Sequence, residues 1–229
     1  MKRPPRTQGP RPFHSRSAFL VTLTALMLCL STFVTLRVSA NEPGGHPPEV
    51  ILVVGDSISA GYGIKREEGW VHIFDQSLVQ AELPYRRVNA SVSGETTGGA
   101  LARLPALLEE HKPAIVLIEL GGNDGLRGYP VKKMRANIEA MATLSTAAGA
   151  APAIVAMRIP PNYGPRYTRG FEAAFPVAAE STGALLIPFF LEEIALVEGM
   201  MQDDGIHPTA AAQNEMSEFI WRYLQPLFG

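Results

Sequence analysis

Ala114-Ile115-Val116-Leu117-Ile118-Glu119-Leu120 is an almost unbroken apolar run of strand length. Val50 to Val54, Ala153 to Ile159 and Ala184 to Pro188 are similar, and Tyr85 to Asn89 is a weaker version. A strand with one wet face would alternate polar and apolar residues, so runs like these demand cover on both faces. Helical periodicity fills the gaps between them. Trp70 to Leu83, Thr97 to His111, Val131 to Ala148, Phe171 to Thr182 and Thr209 to Leu227 each carry an apolar stripe. Strands alternating with helices predict an α/β domain, a parallel sheet with helices on both sides.

Residues 1–17 carry Lys2, Arg3, Arg6, Arg11 and Arg16 and no acid. The 19-residue stretch Ala18 to Leu36 is apolar apart from Ser, Thr and Cys29, and Val38-Ser39-Ala40 follows as a small-x-small site. This order predicts a signal peptide over 1–40, a loose Gly/Pro-rich leader over 41–48 and one domain over 49–229, placing the protein in the periplasm or outside the cell. A retained membrane anchor is the alternative reading of the same run. Once the signal is removed, 189 residues remain, with 14 basic against 22 acidic residues and a net charge of −8. Such a domain is a poor partner for nucleic acid, where phosphate contacts need clustered Lys and Arg. Cys29 is the only cysteine, so the domain has no disulfide, thiol nucleophile or thiolate metal site. No His, Asp or Glu grouping has metal-ligand spacing.

In open parallel sheets chemistry collects past the carboxyl ends of the strands. The segments there are Gly55-Asp56-Ser57-Ile58-Ser59, Ser93-Gly94-Glu95, Gly121-Gly122-Asn123-Asp124-Gly125 and, before the last helix, Asp203-Asp204-Gly205-Ile206-His207-Pro208. Singly they are ordinary: a helix N-cap, tight turns and a loop carboxylate beside a histidine. Together they supply the groups that acyl transfer needs. Ser57 can act as nucleophile and His207 as the base that takes its proton. A carboxylate fixes the imidazole tautomer, a role that spacing leaves open between Asp203 and Asp204. Oxyanion donors are available at the Ser57 and Gly94 backbone N–H groups and the Asn123 side chain. Asp56 and Asp124 read as braces of their turns, and His72 and His111 as structural. Position 59 is Ser, so the Gly-x-Ser-x-Gly elbow of α/β-hydrolases is not written here.

The set Gly55-Asp56-Ser57-x-Ser59, Gly94, Gly121-x-Asn123-Asp124 and Asp204-x-x-His207-Pro208, in this order, resembles the SGNH (GDSL) hydrolase superfamily. Longer runs, among them Asn89 to Thr96, Leu101 to Leu108, Glu119 to Gly128, Pro161 to Gly164 and Met201 to Pro208, resemble its periplasmic thioesterase, lysophospholipase and arylesterase type. The resemblance covers almost all of 50–228. It implies a three-layer α/β/α sandwich with a five-stranded parallel sheet of flavodoxin-like order. It also implies Ser57, Asp204 and His207 as triad, Ser57, Gly94 and Asn123 as oxyanion hole, and no cofactor. Ile58 replaces the usual Leu, a volume-conserving change.

The expected function is hydrolysis of carboxylic esters and acyl thioesters, lysophospholipid among them, by a monomer. A carbohydrate O-deacetylase is the alternative. The reading outside enzymes is a phosphate- or nucleotide-binding module at the first helix, disfavoured by the missing glycine-rich motifs, with Arg66 where one of them requires Gly. Leu126-Arg127-Gly128-Tyr129 and Ile159 to Gly164, which includes Pro161, Asn162 and Tyr163, are candidate walls of an acyl groove, or else plain connections. On the groove reading, truncating Tyr163 changes chain-length preference more than turnover of acetyl esters.

Overall fold

The computed structural model describes residues 48–228. The expected signal peptide, Cys29 and all but the last residue of the leader lie outside them. Five strands form one parallel sheet: β1 (Glu49–Gly55), β2 (Tyr85–Asn89), β3 (Ile115–Glu119), β4 (Ala151–Val155) and β5 (Leu185–Ile187), in the order β2-β1-β3-β4-β5. Seven α-helices connect and flank them: α1 (Ser57–Ala60), α2 (Trp70–Gln80), α3 (Thr97–His111), α4 (Gly122–Leu126), α5 (Val131–Ala147), α6 (Pro165–Thr182) and α7 (Gln213–Leu224). Helices α2 and α7 pack together, and α3, α5 and α6 pack in series. The result is the expected three-layer sandwich.

The apolar runs are buried as their composition demands. Every residue of β3 is buried, and Ile51 to Val54 of β1 have no exposed surface. Trp70, Phe74 and Leu78 of α2 and Met216, Ile220 and Leu224 of α7 are buried in one helical layer. Leu104 of α3, Ile138 and Met141 of α5, and Phe171 and Phe175 of α6 are buried in the other. Each such side chain contributes roughly 1.5–3 kcal/mol on leaving water.

Some boundaries differ from the periodicity. Strand β4 starts at Ala151, two residues early, and stops at Val155, four short of Ile159. Beyond Val155 the chain leaves the sheet, yet Met157 and Ile159 stay buried, so apolarity persists there without strand pairing. Helix α6 starts at Pro165 rather than Phe171, because proline at the first turn needs no N–H partner and pre-sets φ. Helix α4 is a full short helix where the Gly-Asn-Asp-Gly composition reads as a turn. The closing helix is α7 with a 3-10 turn at each end.

Chain order places β1 between β2 and β3, so the loop after β1 and the loop after β3 diverge from one point of the sheet edge. A crevice for ligands opens at such a switch point, and Ser57 and Asn123 lie on its two sides.

Candidate active site

The turn after β1 is shaped by two contacts. Asp56 caps α1, its Oδ1 accepting from the Ile58 N–H at 3.0 Å. A Cβ on Gly55 would sit 2.6 Å from Glu119 Oε2 and 2.8 Å from Ser59 Cβ, so only glycine fits beneath the turn. Ser57 is thereby presented as the first residue of α1.

His207 arrives from the far end of the sequence. Its Nε2 lies 2.8 Å from Ser57 Oγ and its Nδ1 2.6 Å from Asp204 Oδ2. Asp204 Oδ1 also accepts from the backbone N–H groups of Ile206 (2.9 Å) and His207 (3.0 Å). The hydrogen bonds from the His207 side chain and backbone hold the Asp204 carboxyl down to about 2, so it stays ionised at any working pH. Asp203 is exposed and takes no part. The geometry therefore selects between two acids that spacing could not.

The histidine turn is tied to the serine turn. Gln202 Nε2 donates to the carbonyls of Tyr62 (2.8 Å) and Pro208 (2.9 Å), and the Gln202 N–H donates to the His207 carbonyl at 2.8 Å. The Tyr62 ring lies 4.5 Å from the imidazole, centroid to centroid. No motif in the sequence marks Gln202 or Tyr62 for these contacts.

Gly94 and Asn123 face the same cavity as Ser57 and His207. Gly94 has φ +78°, a left-handed conformation that favours glycine. Asn123 rides on α4, and its Nδ2 donates one hydrogen to Asp56 Oδ2 at 3.1 Å, leaving the second free. Asp124 Oδ2 and Oδ1 accept from the Thr97 N–H (2.9 Å) and hydroxyl (2.7 Å), pinning α4 to the start of α3. That is the bracing role expected of it. His72 on α2 contacts Gln76 and Arg87, and His111 closes α3; neither lines the cavity.

The cavity holds about 490 Å³. Its walls are largely apolar: Leu126, Met157, Ile159, Pro160, Phe189, Leu191, Ala195, Met201 and Ile206. Of the two expected groove segments, Leu126, Ile159 and Pro160 line it, whereas Arg127, Tyr129, Pro161, Asn162 and Tyr163 do not. Arg127 points instead at the Gly94 carbonyl, 3.2 Å away. Tyr129 is exposed, its carbonyl accepting from the Tyr167 hydroxyl. Pro161, Asn162 and Tyr163 form a 3-10 turn outside the cavity. The Tyr163 hydroxyl donates to the Leu126 carbonyl at 2.7 Å, so it supports the wall from behind. Phe189, Leu191 and Ala195 follow β5, and the carboxyl-end rule applied to that strand points to them. Among the described residues no His/Cys/Asp/Glu group is arranged to hold a metal ion.

The profile of the GDSL-like Lipase/Acylhydrolase family matches residues 53–214. Esterase TesA of Pseudomonas aeruginosa is 49% identical over 179 residues, covering 78% of this chain and 89% of the relative. Thioesterase 1/protease 1/lysophospholipase L1 of Escherichia coli K12 is 42% identical over 179 residues, covering 78% and 85%. The crystal structure of the psychrotrophic esterase EstA from Pseudoalteromonas sp., inhibited by monoethylphosphonate, superposes with a TM-score of 0.76 at 46% identity, over 78% of this chain and 97% of that one.

Proposed function

Because the chain belongs to the GDSL-like lipase/acylhydrolase family, we propose that it hydrolyses carboxylic esters and acyl thioesters through an acyl-Ser57 intermediate. The observation that carries this reading is the continuous Ser57–His207–Asp204 hydrogen-bond chain at the wall of an apolar cavity.

His207 Nε2 takes the Ser57 proton as Oγ attacks the acyl carbon. Asp204 holds the imidazole through Nδ1 and stabilises its protonated form. The free Asn123 N–H and the Ser57 and Gly94 backbone N–H groups receive the oxyanion. The imidazolium returns its proton to the departing alcohol or thiol. Water, deprotonated by His207, then attacks the acyl carbon, and the imidazolium gives that proton to Ser57 Oγ as the acid leaves. The cavity beside Ser57 takes the acyl chain, and its volume is in the range of drug-sized ligand sites. An acetyl group would leave most of it empty, which favours longer acyl substrates, lysophospholipids among them, over the deacetylase alternative.

The monomeric state and the periplasmic or secreted location belong to the same proposal. The location rests on the basic, apolar and small-residue order of residues 1–40. No helix among the described residues is long and apolar enough to cross a membrane.

The test is hydrolysis of p-nitrophenyl esters from acetyl to palmitoyl by the 41–229 protein and its Ser57→Ala variant. Ser57-dependent activity reaching medium or long chains is expected. Activity confined to acetyl would transfer the assignment to the deacetylase, and activity indifferent to Ser57 would remove the nucleophile.

A further inference from the structure

Two carboxyl groups are buried under the Ser57 turn, and the reaction steps above use neither. Glu119 ends β3 directly beside Gly55 of β1 and has no exposed surface. Its Oε2 accepts from the Ser59 hydroxyl at 2.6 Å and the Asp56 N–H at 3.3 Å. Its Oε1 is buried with no hydrogen-bond partner. Asp56, only 2% exposed, has a donor at each oxygen: the Ile58 N–H on Oδ1 and Asn123 Nδ2 on Oδ2.

Two carboxylates this close in a buried site cannot both ionise without large cost. The donors decide where the one charge sits. Asp56 has a donor on each oxygen, whereas Glu119 Oε1 has no hydrogen-bond partner, and the donors that favour a charged Glu119, the Ser59 hydroxyl and the Asp56 and Ser59 N–H groups, work against the larger cost of its complete burial. The other ionisable groups acting on Asp56 are His207, which favours its charge, and Asp124, which opposes it. Burial first, and the Asp56 charge second, push Glu119 well above the ordinary carboxylate range.

The location of the charge controls an orientation. A carboxylate at Asp56 accepts and cannot donate, so Asn123 must present Nδ2 to it and never Oδ1. An uncharged acid or an amide at position 56 could donate instead and let the Asn123 amide flip. A flipped amide would turn its carbonyl oxygen toward the developing oxyanion.

We propose that Glu119 is a positioning residue: an uncharged carboxylic acid that anchors the Ser57 turn through Ser59 and the Asp56 N–H, and leaves the pair's single negative charge on Asp56 to orient the Asn123 amide. The inference rests on the acyl-Ser57 reading, and its first test does not depend on activity.

Infrared difference spectra at neutral pH should show a protonated carboxyl C=O stretch in the wild-type protein. Glu119→Gln should abolish that band, and Asp56→Asn should keep it. In kinetics, Glu119→Ala should lower kcat at least tenfold with little change in KM, and the uncharged isostere Glu119→Gln should restore it to within about threefold. Asp56→Asn should cost roughly 10²–10³ in kcat, as loss of an oxyanion donor does, and combining it with Asn123→Ala should add little. Absence of the band, or its loss in Asp56→Asn but not in Glu119→Gln, would place the charge on Glu119 and overturn the proposal. So would multiplicative losses in the double variant. Should Glu119→Ala not fold, Glu119→Gln and the spectra still decide. Full activity in Ser57→Ala, by contrast, sinks the acyl-Ser57 reading while leaving the spectra interpretable.

Discussion

At the scale of single residues, the site combines an exposed carboxylate with a buried one, and their environments move them in opposite directions. Asp204 is held down to about 2 by hydrogen bonds from His207, so its charge is lost only as pH falls through that value. Burial pushes Asp56 the other way, up to about 6 from 3.8. Because folded Asp56 binds its proton more tightly than unfolded Asp56, its contribution to stability is complete below about pH 3.8 and is lost as pH rises through about 6. Thermal melts of Asp56→Asn should therefore show a Tm difference, variant minus wild type, that grows more positive from pH 5 to pH 8. A difference independent of pH would mean that Asp56 titrates normally. In steady-state kinetics, Ser57→Ala should lower kcat by on the order of 10⁴–10⁶, and Asn123→Ala by roughly 10²–10³ with the fold intact. The residue types themselves were legible: serine, histidine and asparagine stand past strand ends with few competitors. The choice of Asp204 over Asp203 came only through the family resemblance and not from spacing, since both lie within reach of the imidazole until the backbone of 204–207 turns Asp204 Oδ1 onto two N–H groups.

At the scale of elements, the long helices and the apolar strands follow from periodicity, and the departures have local causes. Helix α4 is too short to show a period, and its glycines suggest a turn. What makes it helical is tertiary: Asp124 is fixed to Thr97, and Gly125 is pressed against α6. A Cβ on Gly125 would lie 2.6 Å from Phe171 and 2.7 Å from Ile159. Gly125→Ala should therefore cost about 1–3 kcal/mol through overpacking, read as a Tm loss of roughly 2–4 °C per kcal/mol in a domain of this size. Because α4 carries Asn123, kcat should fall with it. A variant with wild-type Tm and kcat would show that the contact relaxes freely. The early end of β4 has a related cause: Met157 and Ile159 are as apolar as a strand, but they face the cavity rather than a neighbouring strand.

At the scale of the molecule, the cavity is assembled from loops after β1, β2, β3, β4 and β5 together with the turn before α7. Its shape should therefore set chain-length preference. Leu191→Trp, which fills the wall after β5, should abolish activity on long p-nitrophenyl esters while sparing acetyl. Tyr163→Ala, which supports Leu126 from outside the cavity, should lower activity alike at every chain length. Equal losses across the series in Leu191→Trp would move the acyl site elsewhere. The order of buried strands and amphipathic helices determined the parallel sandwich, because apolar runs without a wet face have few other ways to be covered. The same logic located the chemistry past the strand ends, and the residue types there named the reaction. Only the tertiary structure decided that Gln202 joins the Ser57 and His207 turns, that Glu119 and Asp56 share a buried site, and which side chains wall the cavity. Those facts depend on distances between segments as much as 150 residues apart, and local periodicity carries no information about such distances.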